Sequence, residues 1–96
     1  MKNAYLIGQI TIKDRNKWAE YRSQVTATLE PWDGNLVFRG KLSSVLSGSN
    51  QHSDTVVIRF PSLKQLEDWH ASPQYQSIIP LRQQAADMNL LAYEEE

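Results

Sequence analysis

From Ala4 to Ile12 the chain places Ala4, Leu6, Gly8, Ile10 and Ile12 in alternation with Tyr5, Ile7, Gln9 and Thr11. That period of two, rich in β-branched residues and free of proline, predicts a first strand. Beyond Asp14, a good N-cap, the period changes: Trp18, Tyr21, Val25 and Leu29 recur at three- and four-residue spacing along one helical stripe. This first helix is expected to stop near Glu30, because Pro31 disfavours helical dihedrals in the residue before it and Asp33-Gly34 supplies a turn. A second strand is read from about Asn35 to Leu46, with a bend or bulge at Gly40. The polar run Ser47 to Asp54 then makes a hairpin loop into a third strand, Thr55 to Phe60.

After Pro61, Ser62 and Gln65 stand at capping-box spacing, the glutamine amide taking the part of glutamate by returning a hydrogen bond to the backbone. Leu63, Leu66 and Trp69 give the second helix a short apolar stripe, before Ser72-Pro73 caps and restarts it. From Pro73 to about Met88, Tyr75, Ile78, Ile79, Ala85 and Ala86 share one side of a helix, which Pro80 should kink or interrupt. A short last strand, roughly Leu90 to Glu94, and an acidic end complete the chain.

The order βαββαβ describes an α+β, ferredoxin-like domain over residues 1–96, with four antiparallel strands carrying the helices on one face. If Val56, Ile58 and Phe60 face the helices, the other face presents Tyr5, Ile7, Gln9, Thr55, Val57 and Arg59. That surface is too apolar to stay open to water, and packing two such sheets across a two-fold axis covers it. A homodimer is therefore the expected state.

Composition narrows the functional classes. Ten Lys and Arg against eleven Asp and Glu, a formal charge of -1, provide no general basic field for nucleic acid. With no cysteine there is no thiolate nucleophile, disulfide framework or Cys-based metal site. No apolar stretch near the N-terminus is long enough for a signal peptide or membrane span, so a soluble cytoplasmic protein is expected. Phosphate-loop and dinucleotide glycine patterns are absent, and no cofactor is read from the sequence.

Phe60-Pro61-Ser62, followed by Trp69, Ser72-Pro73, Tyr75-Gln76 and Arg82, forms a recognisable series. With Tyr5, Gly8, Tyr21 and Arg39-Gly40 further upstream, it resembles the bacterial family called domain of unknown function 1330. That family belongs to the dimeric α+β barrels, so the resemblance, which spans nearly the whole chain, implies a ferredoxin-like protomer and a sheet-to-sheet dimer. It implies no common activity. The chain departs from the family pattern at Lys41, where a second glycine is common, and at His70, where an aromatic often follows the tryptophan.

Several side chains carry chemistry. Arg82 falls between Ile79 and Ala86 on the stripe containing Tyr75, where a charge needs a partner: an oxyanion of a ligand, or an internal carboxylate or backbone carbonyl. Arg39 and Arg59, placed with the bare face, pose the same choice between polar anchors in a dimer cavity and ion pairs across it. His70 is the one acid–base group of neutral pKa in a structured element, although a lone histidine at a helix end is more often a surface residue or a partner of the helix dipole than a catalyst. His52 lies in the hairpin loop, and the two histidines form no metal set. Trp18, Tyr21, Trp69 and Tyr75 read first as core; Trp32, on a turn, is read by default as packed under the loop, with a pocket mouth or the dimer as alternatives. Three functions remain: a small-molecule-binding dimer with a pocket lined by Tyr5, Arg39, Trp69 and Tyr75, its anionic ligand met by Arg39 or Arg82; a cofactor-independent monooxygenase or isomerase with His70 as base; and a non-catalytic dimeric interaction module.

Overall fold

A computed structural model describes residues 2–96. The alternating N-terminal segment forms β1 (Ala4–Ile12), and the stripe after it forms α1 (Arg15–Leu29), whose first turn is capped by the Asp14 carboxylate accepting from the amides of Asn16 and Lys17, both at 3.0 Å. A 3-10 turn at Glu30–Trp32 follows, with Pro31 inside it. Asp33 takes left-handed dihedrals (φ 58°), a conformation that Asp and Asn tolerate better than most side chains. Gly34 is needed for a different reason: a Cβ there would come within 2.8 Å of both Leu29 and Phe60. The chain continues through β2 (Asn35–Lys41), β3 (Asp54–Phe60), α2 (Leu63–Ala71), α3 (Pro73–Gln76), α4 (Ile79–Ala85) and β4 (Ala86–Glu94).

All four strands are antiparallel, in the order β2-β3-β1-β4, which is the ferredoxin-like arrangement. Helices cover one face. Ala4, Leu6 and Ile10 of β1 and Val56, Ile58 and Phe60 of β3 are buried beneath Trp18, Tyr21, Val25, Leu66, Trp69 and Tyr75. The opposite face carries two full cross-sheet rows, Phe38–Val57–Ile7–Leu91 and Asn35–Arg59–Tyr5–Tyr93. Phe38, Leu91 and Tyr93 are exposed there.

Three expectations are corrected. The second strand ends at Lys41 rather than Leu46, because β3 begins at Asp54 and a last hydrogen bond from the Leu42 amide to the Ser53 carbonyl closes the pairing. The irregularity in β2 lies between Leu36 and Phe38, not at Gly40; Gly40 instead accommodates the Phe38 ring, which a Cβ would meet at 3.1 Å. Finally, the segment from Pro73 to Met88 is interrupted, as expected near Pro80, but its helical part ends at Ala85 rather than Met88. Pro80 sits in the first turn of α4, where its missing N–H costs nothing, and the chain turns extended at Ala86, so β4 starts four residues earlier than Leu90.

The N-caps at Ser62 and Ser72 are present. The Gln65 amide does not return to the backbone of Ser62; its oxygen accepts from the Ser62 hydroxyl while its nitrogen donates to the Trp32 carbonyl. Through that bond α2 fastens the 3-10 turn, and Trp32 is half-buried against the core, packed under the loop.

Candidate ligand site between the helices and the sheet

Trp69, fully enclosed on α2, is the centre of an aromatic layer over the sheet. Its ring centroid lies 4.2 Å from Tyr75 and 5.5 Å from Phe60, and its indole N–H donates to the Thr28 hydroxyl of α1 at 3.0 Å. Ser72 positions Tyr75 at the start of α3 by accepting from the Tyr75 amide. The buried Tyr75 hydroxyl then meets the Tyr21 hydroxyl of α1 at 2.8 Å and accepts from Arg82 Nη1 of α4 at 2.9 Å. Arg82 thus has a phenol partner, and no carboxylate among the described residues pairs with it: the ion pairs found are Lys13–Asp87 and Lys64–Asp68, both on the surface.

Arg39 reaches the same region from the sheet. Strict alternation from Leu36 would put it on the bare face, as the sequence suggested. The bulge at Val37 adds one residue and reverses the phase of the rest of β2, so Phe38 faces outward with Val57 while Arg39 faces the helices with Val56. The half-buried guanidinium lines a cavity of about 20 Å³, walled also by Trp18, Tyr21, Trp69, Met88 and Leu90. Gly8 lies under it. A Cβ on Gly8 would come 2.7 Å from Val56 and 3.5 Å from Met88 and Leu90, so any larger residue would fill the floor.

On the outer side of Arg39 an open cleft of about 190 Å³ runs between α1 and the ends of β2 and β3, with Arg22 and Lys41 as further cations and Asp54 as the one acid. Partial burial and the neighbouring Arg22 lower the Arg39 pKa, and Tyr21 opposes them. Burial, reinforced by Tyr75, pushes the Tyr21 phenol far above its ordinary value of 10, so it remains protonated.

These features occur on a known scaffold. A model of the domain of unknown function called DUF1330 matches residues 3–95. The chain belongs to the DUF1330 family. No protein with a curated description matches it. Among solved structures, a protein of unknown function from Rhodopseudomonas palustris superposes with a TM-score of 0.81 at 16% identity, covering 98% of this chain and 82% of that one. The cofactor-independent oxygenase SnoaB from Streptomyces nogalater gives a TM-score of 0.72 at 8% identity, over 100% and 95% of the two chains. A dimeric ferredoxin-like protein of unknown function from Bacteroides fragilis gives 0.62 at 10% identity, over 97% and 96%. At these identities the likeness concerns the fold.

In this DUF1330 protein the expected site residues divide into two groups. Arg39, Trp69, Tyr75 and Arg82 gather between helices and sheet. Tyr5 does not join them: it is an odd-numbered residue of β1, opposite Arg59 and Tyr93 on the bare face, separated from the aromatic layer by the sheet itself. His70 stands at the rim of a second opening, a groove of about 340 Å³ with Leu6, Leu66, Leu90 and Ala92 on its walls. Its ring packs beside Tyr75 (5.5 Å) and Trp69 (6.2 Å), and partial burial with the charge of Arg82 lowers its pKa below 6.5. His52 bonds Thr11 and Asn89 at the other end of the sheet. Sequence reasoning placed Tyr21 in the core and did not see Arg22 or Gly8 as site residues. The signal for Arg22 was present, since it follows Tyr21 and lies one helical turn past Trp18.

Among the described residues no helix is long and apolar enough to cross a membrane.

Proposed function

We propose that this DUF1330 protein is a homodimer that binds a small organic anion between its helices and its sheet, with Arg39 as the anchor. One observation carries the reading. Arg39 is a half-buried cation beside a second cation, Arg22, and its side chain makes no hydrogen bond or ion pair among the described residues. Desolvating a guanidinium without a partner is unfavourable, and a carboxylate in the cleft would supply a bidentate one. The cleft, at about 190 Å³, is smaller than a drug-sized site, which points to a short acid. Isothermal calorimetry against small aromatic and oxo acids tests this: Arg39→Ala should weaken binding at least about tenfold, the worth of a charge-assisted hydrogen bond. Affinity indifferent to that substitution, or no acid bound at all, removes the proposal.

Dimerisation is supported by the apolar row Phe38–Val57–Ile7–Leu91 on the uncovered face and by the dimeric state of relatives such as the Bacteroides fragilis protein. Native mass spectrometry would report subunit number and any co-purifying acid together.

A second reading, cofactor-independent oxygenation or isomerisation, has one observation of its own. His70 borders the larger groove with its imidazole biased toward the neutral, proton-accepting form. Oxygen uptake with quinol substrates that persists in His70→Ala would eliminate it as the base.

A further inference from the structure

Arg82, Tyr75 and Tyr21 form a line of hydrogen-bonding groups whose direction comes from counting protons. Arg82 donates to the Tyr75 oxygen at 2.9 Å, and the two phenol oxygens lie 2.8 Å apart. Each phenol has one proton, and only one of the two can lie between them. If Tyr21 donated to Tyr75, the Tyr75 proton would be stranded: that residue is fully buried, borders neither the cavity nor the cleft and groove described above, and has no other hydroxyl partner among the described residues. If Tyr75 donates to Tyr21, the remaining proton belongs to Tyr21, which is 5% exposed and forms part of the cavity wall. Buried donors without acceptors are rare; beside Tyr75 there is no space for an acceptor, whereas the cavity bordered by Tyr21 can admit one, so the second arrangement is selected.

The wall offers that proton little. Around Tyr21 stand Leu6, Trp18, Val56, Met88 and Leu90, together with Arg39, which is itself a donor, and Trp69, whose N–H is taken by Thr28. A cavity of about 20 Å³ has room for one oxygen atom.

We infer that Arg82, Tyr75 and Tyr21 are a directional donor chain ending in the Tyr21 hydroxyl, and that this hydroxyl binds a second oxygen of the ligand, beside the anionic group held by Arg39. The ligand class is then a short acid with a neighbouring carbonyl or enolate oxygen, an oxo acid rather than a simple carboxylate. The inference rests on the proposed anion site and adds the group next to the charge. A guanidinium at the head of the chain polarises Tyr75, and Tyr75 polarises Tyr21, so the terminal O–H is a stronger donor than an isolated phenol. Tyr21 also stays protonated at neutral pH, as a donor must.

Two measurements test it. In the ligand-free protein, proton NMR should show a slowly exchanging Tyr75 hydroxyl and a Tyr21 hydroxyl that exchanges with water, each assigned by its Tyr→Phe variant; the reverse pattern overturns the chain. Calorimetry with phenylpyruvate and 3-phenylpropionate, which differ by the oxo oxygen, should show at least a tenfold preference for the oxo acid. Tyr21→Phe, checked for an unchanged melting temperature, should bring the two within twofold, Tyr75→Phe should reduce the preference, and Arg39→Ala should weaken both acids. Equal binding of the two acids to the native protein, or a preference that survives Tyr21→Phe, overturns the ligand class while leaving the anion site standing. Failure of both acids to bind overturns site and ligand class together, whatever direction the hydroxyl exchange gives the donor chain.

Discussion

The two faces of the sheet are built from the same four strands, yet they keep opposite kinds of residue. The covered face holds the aromatic layer and, at its margin, the guanidinium of Arg39 and the phenol of Tyr21. The bare face holds the row Phe38–Val57–Ile7–Leu91 and no enclosed charge. One bulge makes the difference at β2, because without the extra residue near Val37 the ring of Phe38 and the charge of Arg39 would exchange faces. A charged side chain inside and an apolar one outside, each against the usual rule for a monomer, are together what a ligand site backed by a dimer interface requires.

The largest effect that can break this comparison is on stability. Phe60, fully buried under Trp69, should cost about 3–5 kcal/mol when changed to alanine, lowering the melting temperature by more than about 12 °C for a domain of this size. Phe38→Ala, on a side chain 50% exposed in the protomer, should cost well under half of that by the same thermal scan of diluted protein. Equal losses would mean that the two faces are not different in kind. Ile7→Asp should act next most strongly, through association: a carboxylate in the middle of the apolar row should raise the dimer dissociation constant at least about 100-fold. Sedimentation or light scattering reads this, with circular dichroism confirming that the protomer remains folded.

A smaller change sharpens the covered side. Gly8→Val puts a Cβ 2.7 Å from Val56 and occupies the cavity floor. Overpacking of that kind costs about 1–3 kcal/mol, and the preference for the oxo acid should disappear with it, while Arg39 still holds a carboxylate from the cleft. If the preference survived in this variant, the cavity would not be where the oxo oxygen sits.

How much of this the sequence disclosed depends on whether a feature is local. The first strand, the first helix and the inward-facing Val56, Ile58 and Phe60 were legible, because one strong period runs through each and the caps at Asp14, Ser62 and Ser72 depend on nearby residues. The phase of β2 was not, since a bulge is a property of pairing between two strands and neither strand alone records it. Arg39 was therefore expected with the bare face, whereas the bulge turns it toward the helices. Tyr5 failed for the related reason that the pocket and the bare face lie on opposite sides of the sheet. The start of β4 was hidden because Ala85 and Ala86 suit a helix as well as a strand, and only the register Ile12–Ala86 selects the strand. Tyr21 looked like core from its spacing, and it is core; its hydroxyl meets Tyr75 from another helix, a contact no spacing rule contains.

The smallest effect concerns pH and tests whether the covered side is poised around a neutral imidazole. Partial burial of the His70 ring and the positive charge of Arg82 hold its pKa below the ordinary 6.5. The folded chain therefore binds fewer protons at this residue than the unfolded chain, and the difference opens as pH falls from about 6.5 toward the lower folded value. This contribution to stability is complete above pH 6.5 and is lost on acidification. Because the ring stands at a rim where solvent screens it, the loss should be small. Urea unfolding followed from pH 7.5 to 5 should show a decline that is shallower in His70→Gln, and Arg82→Gln should reduce the slope while leaving the histidine in place. A native slope no steeper than that of His70→Gln would show that the imidazole titrates as freely as one on the bare face, and would remove the basis for assigning it a proton-accepting role.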